Sequence, residues 1–139
     1  MITRERLYNG FSIQRPRECR GNFQVHSRLW VSEMSAEYLV VLTTLPADYD
    51  VQSFGRALVE ERLAACVNLL APMESVYRWE GRIEVESERQ IIVKTSRDRL
   101  AALWDRVREM HPYEVPEFIV LPIADGNEAY LRWIGESTK

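Results

Sequence analysis

Two hydrophobic periods alternate along the chain after residue 36. Residues 38–43 are apolar at nearly every position, a pattern typical of a central strand that is covered on both faces. The next apolar positions recur at the period of a helix, and either Asp48 or Asp50 can cap its start. These helical positions are Val51, Phe54 and Leu58. The pattern predicts a first strand and a first helix, which we expect to end near Arg62.

The segment that follows predicts a long β-hairpin. Residues 65–70 favour a strand that is interrupted at Pro72, which has no N–H to donate to a sheet, and the strand pattern resumes at 75–79. Residues 80–81 (Glu-Gly) predict the turn, because glycine accepts the positive φ of tight hairpins. A second strand pattern then extends from 82 to 96.

Two helices and one strand complete the pattern. Ser96 can cap a helix with apolar positions at helical spacing, and the His-Pro pair at 111–112 stops it. Residues 118–121 predict a fourth strand, and residues 127–134 a short last helix that Gly135 can terminate. The apolar positions of the second helix are Leu100, Leu103, Trp104 and Val107.

The element order is therefore βαββαβ plus a terminal helix. This order predicts an α+β, ferredoxin-like sandwich, in which both long helices lie on one face of a four-stranded antiparallel sheet. If residues 82–96 are fully extended they span about 50 Å, whereas a domain of about 100 residues is roughly 34 Å across. The hairpin must project, bend or join another subunit. Because free strand edges promote aggregation, we expect an oligomer in which hairpins complete neighbouring sheets.

Charge divides the chain near residue 36. Residues 1–36 hold six arginines and three glutamates without a sustained period, whereas the rest of the chain is acidic. We interpret residues 1–36 as an N-terminal extension that is poorly ordered or loosely packed, and residues 37–139 as the domain.

Composition narrows the function classes. The net charge is −3 and only two lysines are present, which argues against nucleic-acid binding because that needs clustered cations. No apolar run approaches the roughly 18 residues that a membrane span needs, and the first ten residues do not resemble a signal peptide. The two cysteines, Cys19 and Cys66, lack metal-ligand spacing, and free thiols favour a cytoplasmic location.

Five short runs resemble the signature of the CutA family in order and spacing. They are 62–68 (RLAACVN), 77–81 (YRWEG), 94–95 (KT), 111–117 (HPYEVPE) and 130–133 (YLRW). The resemblance extends from about residue 38 to residue 133. It implies a ferredoxin-like homotrimer associated with tolerance of divalent cations, notably copper. It implies no obligatory cofactor and no agreed enzymatic reaction.

The resemblance also implies a place for a metal ion. In family members that bind copper, the ligands resemble a cysteine at the end of the first strand and two adjacent histidines after the second helix. Here these positions hold Thr43, Met110 and His111. A thioether suits Cu(I), but one imidazole makes a poor site for Cu(II) or Zn(II). His111 is equally suited to capping the end of a helix.

Cys66 allows two interpretations. Its neighbours in sequence, Ala64, Ala65 and Val67, favour a buried structural thiol, because an apolar setting leaves a thiol inert. A soft metal ligand or a reactive thiol is the alternative.

A second candidate site is a cleft between subunits. Lys94 and Glu117 stand beside apolar residues, so we expect them to pair if they are buried, either with each other across subunits or around a small anion or metal. Three aromatic residues, Trp79, Tyr113 and Trp133, are expected to anchor the core or this interface.

Three functions are compatible with these features of the sequence. The first is a non-catalytic trimeric protein of metal tolerance whose partners are its own copies and metal ions. The second is a PII-like sensor of a nucleotide or other small anion between subunits, although no glycine-rich phosphate loop supports it. The third is an enzyme with Cys66 as nucleophile and His111 as base. We expect no enzyme, because the sequence offers no other acid–base constellation.

Overall fold

The computed structural model describes residues 36–139, and the extension predicted for residues 1–36 lies outside this range apart from Ala36. The strands are β1 (Tyr38–Pro46), β2 (Cys66–Trp79), β3 (Arg82–Ser96) and β4 (Ile119–Pro122). The helices are α1 (Val51–Glu60), α2 (Leu100–Met110) and α3 (Glu128–Ser137), and a 3-10 turn, Arg97–Arg99, precedes α2. The order of elements is the predicted one.

The four strands form one sheet in the order β2-β3-β1-β4, and every neighbouring pair is antiparallel. The strand β1 is central, as its continuous apolar run predicted. The α+β class with a four-stranded antiparallel sheet is therefore confirmed. The strands β2 and β4 are the outer strands of the described sheet.

One hydrophobic core fills the space between the sheet and the helices α1 and α2. Alternate residues of β1 and β3 point into this core, on what we call the helix face, and the residues between them lie on the open face. Each large apolar side chain buried there contributes roughly 1.5 to 3 kcal/mol. The fully buried members include Val41, Leu45, Leu58, Ile91, Val93, Leu103 and Val107.

The sequence offered two candidates, Asp48 and Asp50, for the N-cap of the helix α1. Asp50 is the N-cap, because its carboxylate accepts hydrogen bonds from the Ser53 N–H at 3.0 Å and from the Ser53 hydroxyl at 2.7 Å. These hydrogen bonds, led by the Ser53 side chain, lower the pKa of Asp50. The predicted apolar stripe of α1 is buried, and the chain leaves the helix through Arg62 at a φ of 57°.

The long hairpin has both predicted irregularities. The pairing of β2 with β3 shifts register between Leu69 and Pro72, where proline cannot donate. At the other end, Glu80 and Gly81 both have positive φ, 46° and 80°, as a tight two-residue hairpin turn requires.

Two predicted helix boundaries are wrong. Ser96 makes no capping hydrogen bond, since the 3-10 turn intervenes, and its hydroxyl instead accepts the Thr138 hydroxyl at 2.9 Å. Gly135 does not end α3, which runs on to Ser137. A Cβ at Gly135 would lie 3.1 Å from the Tyr38 hydroxyl oxygen, so glycine there allows close packing of the helix.

The helix α3 lies on the open face, at the end of the sheet where Tyr38 pairs with Ser96. Its anchor is Ile134, which is fully buried. The rest of the open face has no helix over it within residues 36–139. None of the helices in this range has the length and hydrophobicity to cross a bilayer.

Candidate functional site

His111 joins the end of α2 to β1. Its Nε2–H donates to the Thr44 carbonyl at 2.7 Å, and its Nδ1 accepts the Tyr113 N–H at 3.1 Å. This pair of bonds requires a neutral imidazole with the proton on Nε2. Burial lowers the pKa of His111, and the Thr44 carbonyl and the Glu88 carboxylate only partly oppose it. The ring is therefore neutral at pH 7, and both of its nitrogens are engaged.

Tyr113 continues this contact toward the hairpin. Its hydroxyl donates to Glu86 Oε2 at 3.2 Å. Burial raises the pKa of Tyr113, and the charge and hydrogen bonding of Glu88 and Glu86 raise it further. Glu88 is only 5% exposed. The phenol thus stays protonated between two carboxylates. We call this group the turn cluster: Thr44, Glu86, Glu88, His111 and Tyr113.

Thr43 and Met110 adjoin the turn cluster but point into the core. The Thr43 side chain lies on the helix face and is completely buried, and Oγ1 has no hydrogen-bond partner. It is the only such atom among the buried side chains of residues 36–139. Met110 packs half-buried against the hydrophobic core, and its backbone carbonyl accepts the Tyr49 hydroxyl at 2.6 Å.

Cys66 lies far from the turn cluster and from Thr43 and Met110. It pairs across β2 and β3 with Lys94, and Lys94 pairs across β3 and β1 with Val40. Cys66 is therefore separated from β1 by the strand β3, and it lies on the open face. Thr44, whose carbonyl holds His111, lies four residues farther along β1, about 13 Å at the usual rise of a strand. The structure therefore does not bring Cys66 together with His111, either as metal ligands or as nucleophile and base.

These positions test the copper site that the family resemblance implied. Thr43 offers a buried hydroxyl on the helix face, His111 has both nitrogens in hydrogen bonds, and Cys66 is elsewhere. Within the described part of the chain, no three His, Cys, Asp or Glu residues are grouped so as to hold a metal ion. The described residues of this chain therefore do not fit a tight copper site.

Lys94 and Cys66 form a second polar group on the open face. Lys94 Nζ donates to Asn68 Oδ1 at 2.7 Å and lies 3.8 Å from Cys66 Sγ. We call Cys66, Asn68 and Lys94 the lysine cluster. Of the two interpretations of Cys66, the buried structural thiol is wrong. Strand alternation turns Ala65 and Val67 toward the core and leaves Cys66 half-buried beside the Lys94 side chain.

Glu117 is paired with a residue that the sequence did not single out. The Gln90 amide donates to Glu117 Oε2 at 3.1 Å and to the Thr43 carbonyl at 3.0 Å. An amide on an alternating strand gives no distinctive signal. Gln90 and Lys94 share the open face of β3 but lie four residues apart, about 13 Å. Glu117 and Lys94 therefore do not pair within one chain.

The two candidate tryptophans are also separated. Trp79 ends β2 beside the hairpin turn and is 40% exposed. Trp133 lies on α3, is 41% exposed and packs on Tyr130 at a ring distance of 5.2 Å. The buried contact of this helix is made by Ile134 and not by the predicted Trp133. Residues 36–139 of a single chain therefore do not assemble the predicted cleft.

The hairpin carries an exposed apolar strip far from the core. We call Val76, Ile83 and Val85 the hairpin strip, and they are 68%, 59% and 58% exposed. Val76 and Val85 are direct cross-strand partners, so they lie on the same face. Large apolar side chains grouped on a projecting hairpin are typical of an interaction surface.

Comparison with known proteins gives a consistent result. A family model described as "CutA1 divalent ion tolerance protein" matches residues 39–137. The chain is 46% identical over 99 residues to the "Divalent-cation tolerance protein CutA" of Thermus thermophilus, covering 71% of this chain and 96% of that protein. A solved structure of the divalent cation tolerance protein from Thermus thermophilus has a TM-score of 0.71 at 45% identity, covering 73% of this chain and 99% of that one.

The name of one further relative gives a compartment. The Arabidopsis thaliana relative is named "Protein CutA, chloroplastic"; it is 38% identical over 117 residues, which cover 84% of this chain and 64% of that protein. Neither this name nor the bacterial one describes an enzyme or a nucleotide sensor.

Proposed function

The chain belongs to the CutA1 family of divalent ion tolerance proteins, and we propose that it acts as a non-catalytic, homotrimeric protein of metal tolerance. The family name supports the tolerance role. The strand order β2-β3-β1-β4, with α1 and α2 on one face, supports a ferredoxin-like topology.

The exposure of the hairpin strip carries the proposal of an oligomer. Single exposed apolar residues are common on protein surfaces. Three of them clustered on one hairpin form an apolar patch that a second copy of the chain can cover. The outer edges of β2 and β4 lie on opposite sides of the sheet, so edge-to-edge pairing in one direction can close a ring. The number three comes from the family resemblance.

Light scattering tests this assembly with two matched variants. Val85 of the hairpin strip and Val59 of α1 are 58% and 42% exposed. We expect Val85→Glu to lower the mass from trimer to monomer, because a buried unpaired carboxylate is costly. Val59→Glu should leave the mass unchanged. A monomeric parent protein, or equal masses for both variants, would show that the hairpin does not hold the assembly.

The predicted cleft is proposed to form between subunits. Lys94 and Glu117 lie apart in one chain, and both are only partly exposed on the open face, so a pair across subunits accounts for both. Trp79, Tyr113 and Trp133 are proposed to line the same interface. We expect Lys94→Glu and Glu117→Lys to weaken the trimer singly and the double variant to recover it. Simple addition of the two losses in the double variant would contradict the pair.

Metal binding by this chain is proposed to be weak. One subunit offers an engaged imidazole and a thioether rather than three strong donors, so Cu(II) and Zn(II) should bind weakly and Cu(I) somewhat better through Met110 and His111. Calorimetric titration of the parent, His111→Ala and Thr43→Cys with Met110→His tests this. The double variant should gain Cu(II) affinity. Tight binding by the parent that survives His111→Ala would place the ion elsewhere in the assembled protein.

Two further expectations belong to this proposal. We propose that residues 37–139 fold without residues 1–36, which limited truncation and a thermal melt can test. We also propose a cytoplasmic location, in keeping with a sequence that has only two cysteines and no disulfide framework. Cell fractionation that finds the protein in another compartment would overturn it.

A further inference from the structure

The lysine cluster places a nucleophilic nitrogen beside a thiol. Cys66 and Lys94 are direct cross-strand partners of the antiparallel pair β2 and β3, on the same face of the sheet. Lys94 Nζ is 3.8 Å from Cys66 Sγ. The Asn68 side chain, two residues farther along β2, holds the same nitrogen at 2.7 Å.

The backbone fixes this approach. The Ala65 N–H donates to the Lys94 carbonyl at 2.9 Å, and the register continues without a shift through Val67 and Asn68. The two Cα atoms therefore cannot separate unless the sheet opens. A nitrogen held next to a sulfur reacts as if it were at high concentration, so an intramolecular reaction can outpace competing reactions in solution.

We propose that Cys66 and Lys94 form a reversible covalent cross-link when a peroxide oxidises the thiol. In the first step the Cys66 sulfur attacks hydrogen peroxide, the O–O bond breaks, and sulfenic acid and water form. The sulfur is oxidised by two electrons, which reduce the peroxide.

In the second step the Lys94 amine, after losing a proton to solvent, attacks the sulfenic sulfur. An S–N bond forms, the S–O bond breaks, and the leaving oxygen departs as water with the second proton of the nitrogen. The product is a sulfenamide, in which the pair has lost two hydrogens overall. Two equivalents of an external thiol reduce it to the starting thiol and amine and leave as a disulfide.

The cross-link has two consequences. It removes the sulfenic acid before a second peroxide converts it to the sulfinic acid, which is not readily reversed. It also ties the outer strand β2 covalently to β3 at the base of the long hairpin. Cys66 is thereby a reversible oxidation site rather than an inert structural thiol.

Mass spectrometry of the full chain tests the cross-link. Cys19→Ser provides the background, so that Cys66 is the only thiol. After treatment with hydrogen peroxide, we expect most chains to lose two hydrogens, and a proteolytic digest to contain one peptide pair joined through Cys66 and Lys94. Dithiothreitol should restore the original mass and separate the peptides.

Lys94→Arg in the same background is the matched control, because it keeps the charge but offers no amine that can condense. Light scattering should first show that its mass equals that of the parent. Under peroxide we expect it to gain oxygen instead, as a sulfenic acid that dimedone traps and that proceeds to sulfinic acid. The proposal is overturned if parent and Lys94→Arg give the same oxidised products, or if Cys66 stays unmodified when free cysteine is oxidised.

Discussion

The two halves of β3 differ in burial although they are built from the same residue types. Ile91 and Val93, beside β1, are 0% and 1% exposed, whereas Ile83 and Val85, beyond the end of β1, are 59% and 58% exposed. The first pair faces α1 and α2, and no element of the described chain covers the second. Hydrophobic alternation therefore predicts a strand but not what covers it.

The difference separates two kinds of stability. The covered half holds one subunit together, because its side chains fill the core between sheet and helices. The projecting half contributes little to that core, so its apolar residues serve the contact with another copy in the proposed trimer. Substitutions that are chemically identical in the two halves should therefore have different consequences.

The largest difference is expected between Ile91→Ala and Ile83→Ala. Ile91→Ala leaves a cavity in the core and should lower the free energy of unfolding by about 2 to 5 kcal/mol. Ile83→Ala removes an exposed side chain and should cost the subunit less than about 1 kcal/mol. Denaturant unfolding of both variants, at high and low protein concentration, measures the two effects.

Protein concentration separates the core from the interface. The loss in Ile83→Ala should grow on dilution, because a weakened trimer dissociates before it unfolds. The loss in Ile91→Ala relative to the parent should change little with dilution. Equal losses at every concentration would mean that the two halves of β3 have the same role.

The sequence predicted the fold well because its local signals agree with each other. The apolar run of β1, the stripe of α1, the interruption at Pro72 and the positive φ at Gly81 are all present in the structure. The errors arose where a tertiary contact overrides a local preference. Gly135 lies inside α3 because Tyr38 packs closely against it, a contact that no local pattern records.

The candidate site was less predictable, because it depends on which face of a strand each side chain occupies. Cys66 follows two buried alanines, yet alternation places it beside Lys94 on the open face. Glu117 pairs with Gln90, which belongs to another strand and has no sequence signature. Where the cleft residues lie relative to each other in an assembly stays a prediction.

Two buried threonines show that the covered half is itself uneven. The Thr95 hydroxyl donates to the Leu63 carbonyl at 2.7 Å, whereas the Thr43 hydroxyl has no partner among the described residues. Thr95→Val should cost about 1 to 3 kcal/mol, because it leaves a buried carbonyl unpaired. Thr43→Val removes an unpaired polar group and should be neutral or stabilise by up to about 1 kcal/mol. Thermal unfolding of the pair compares them, and equal losses would indicate a hidden partner for Thr43.

Backbone strain at the hairpin tip should have a smaller effect. Gly81 has a φ of 80°, and a Cβ there would meet no atom of residues 36–139 within 4 Å. Gly81→Ala should therefore cost only the strain of a left-handed backbone, about 1 kcal/mol. Gly126→Ala is the control, since its Cβ would make ordinary contact with Leu131 at 3.4 Å. If Gly81→Ala and Gly126→Ala lower the free energy of unfolding equally, the hairpin turn accepts the Cβ at residue 81 without strain.

The smallest effect concerns the turn cluster, where Glu86 and Glu88 lie at the junction of the two halves. Burial lowers the pKa of His111 below its ordinary value of 6.5, so the unfolded chain takes up this proton at a higher pH than the folded chain. The stability from neutral His111 is therefore complete above about pH 6.5 and falls as the pH is lowered through and below it. Protonation puts a hydrogen on Nδ1, which then cannot accept the Tyr113 N–H. Urea midpoints of the parent should fall between pH 7 and 5 by more than those of His111→Asn, which carries no titrating ring at this position. If the urea midpoints of the two proteins change with pH in parallel, the Glu88 carboxylate stabilises the charged His111 ring by as much as burial destabilises it.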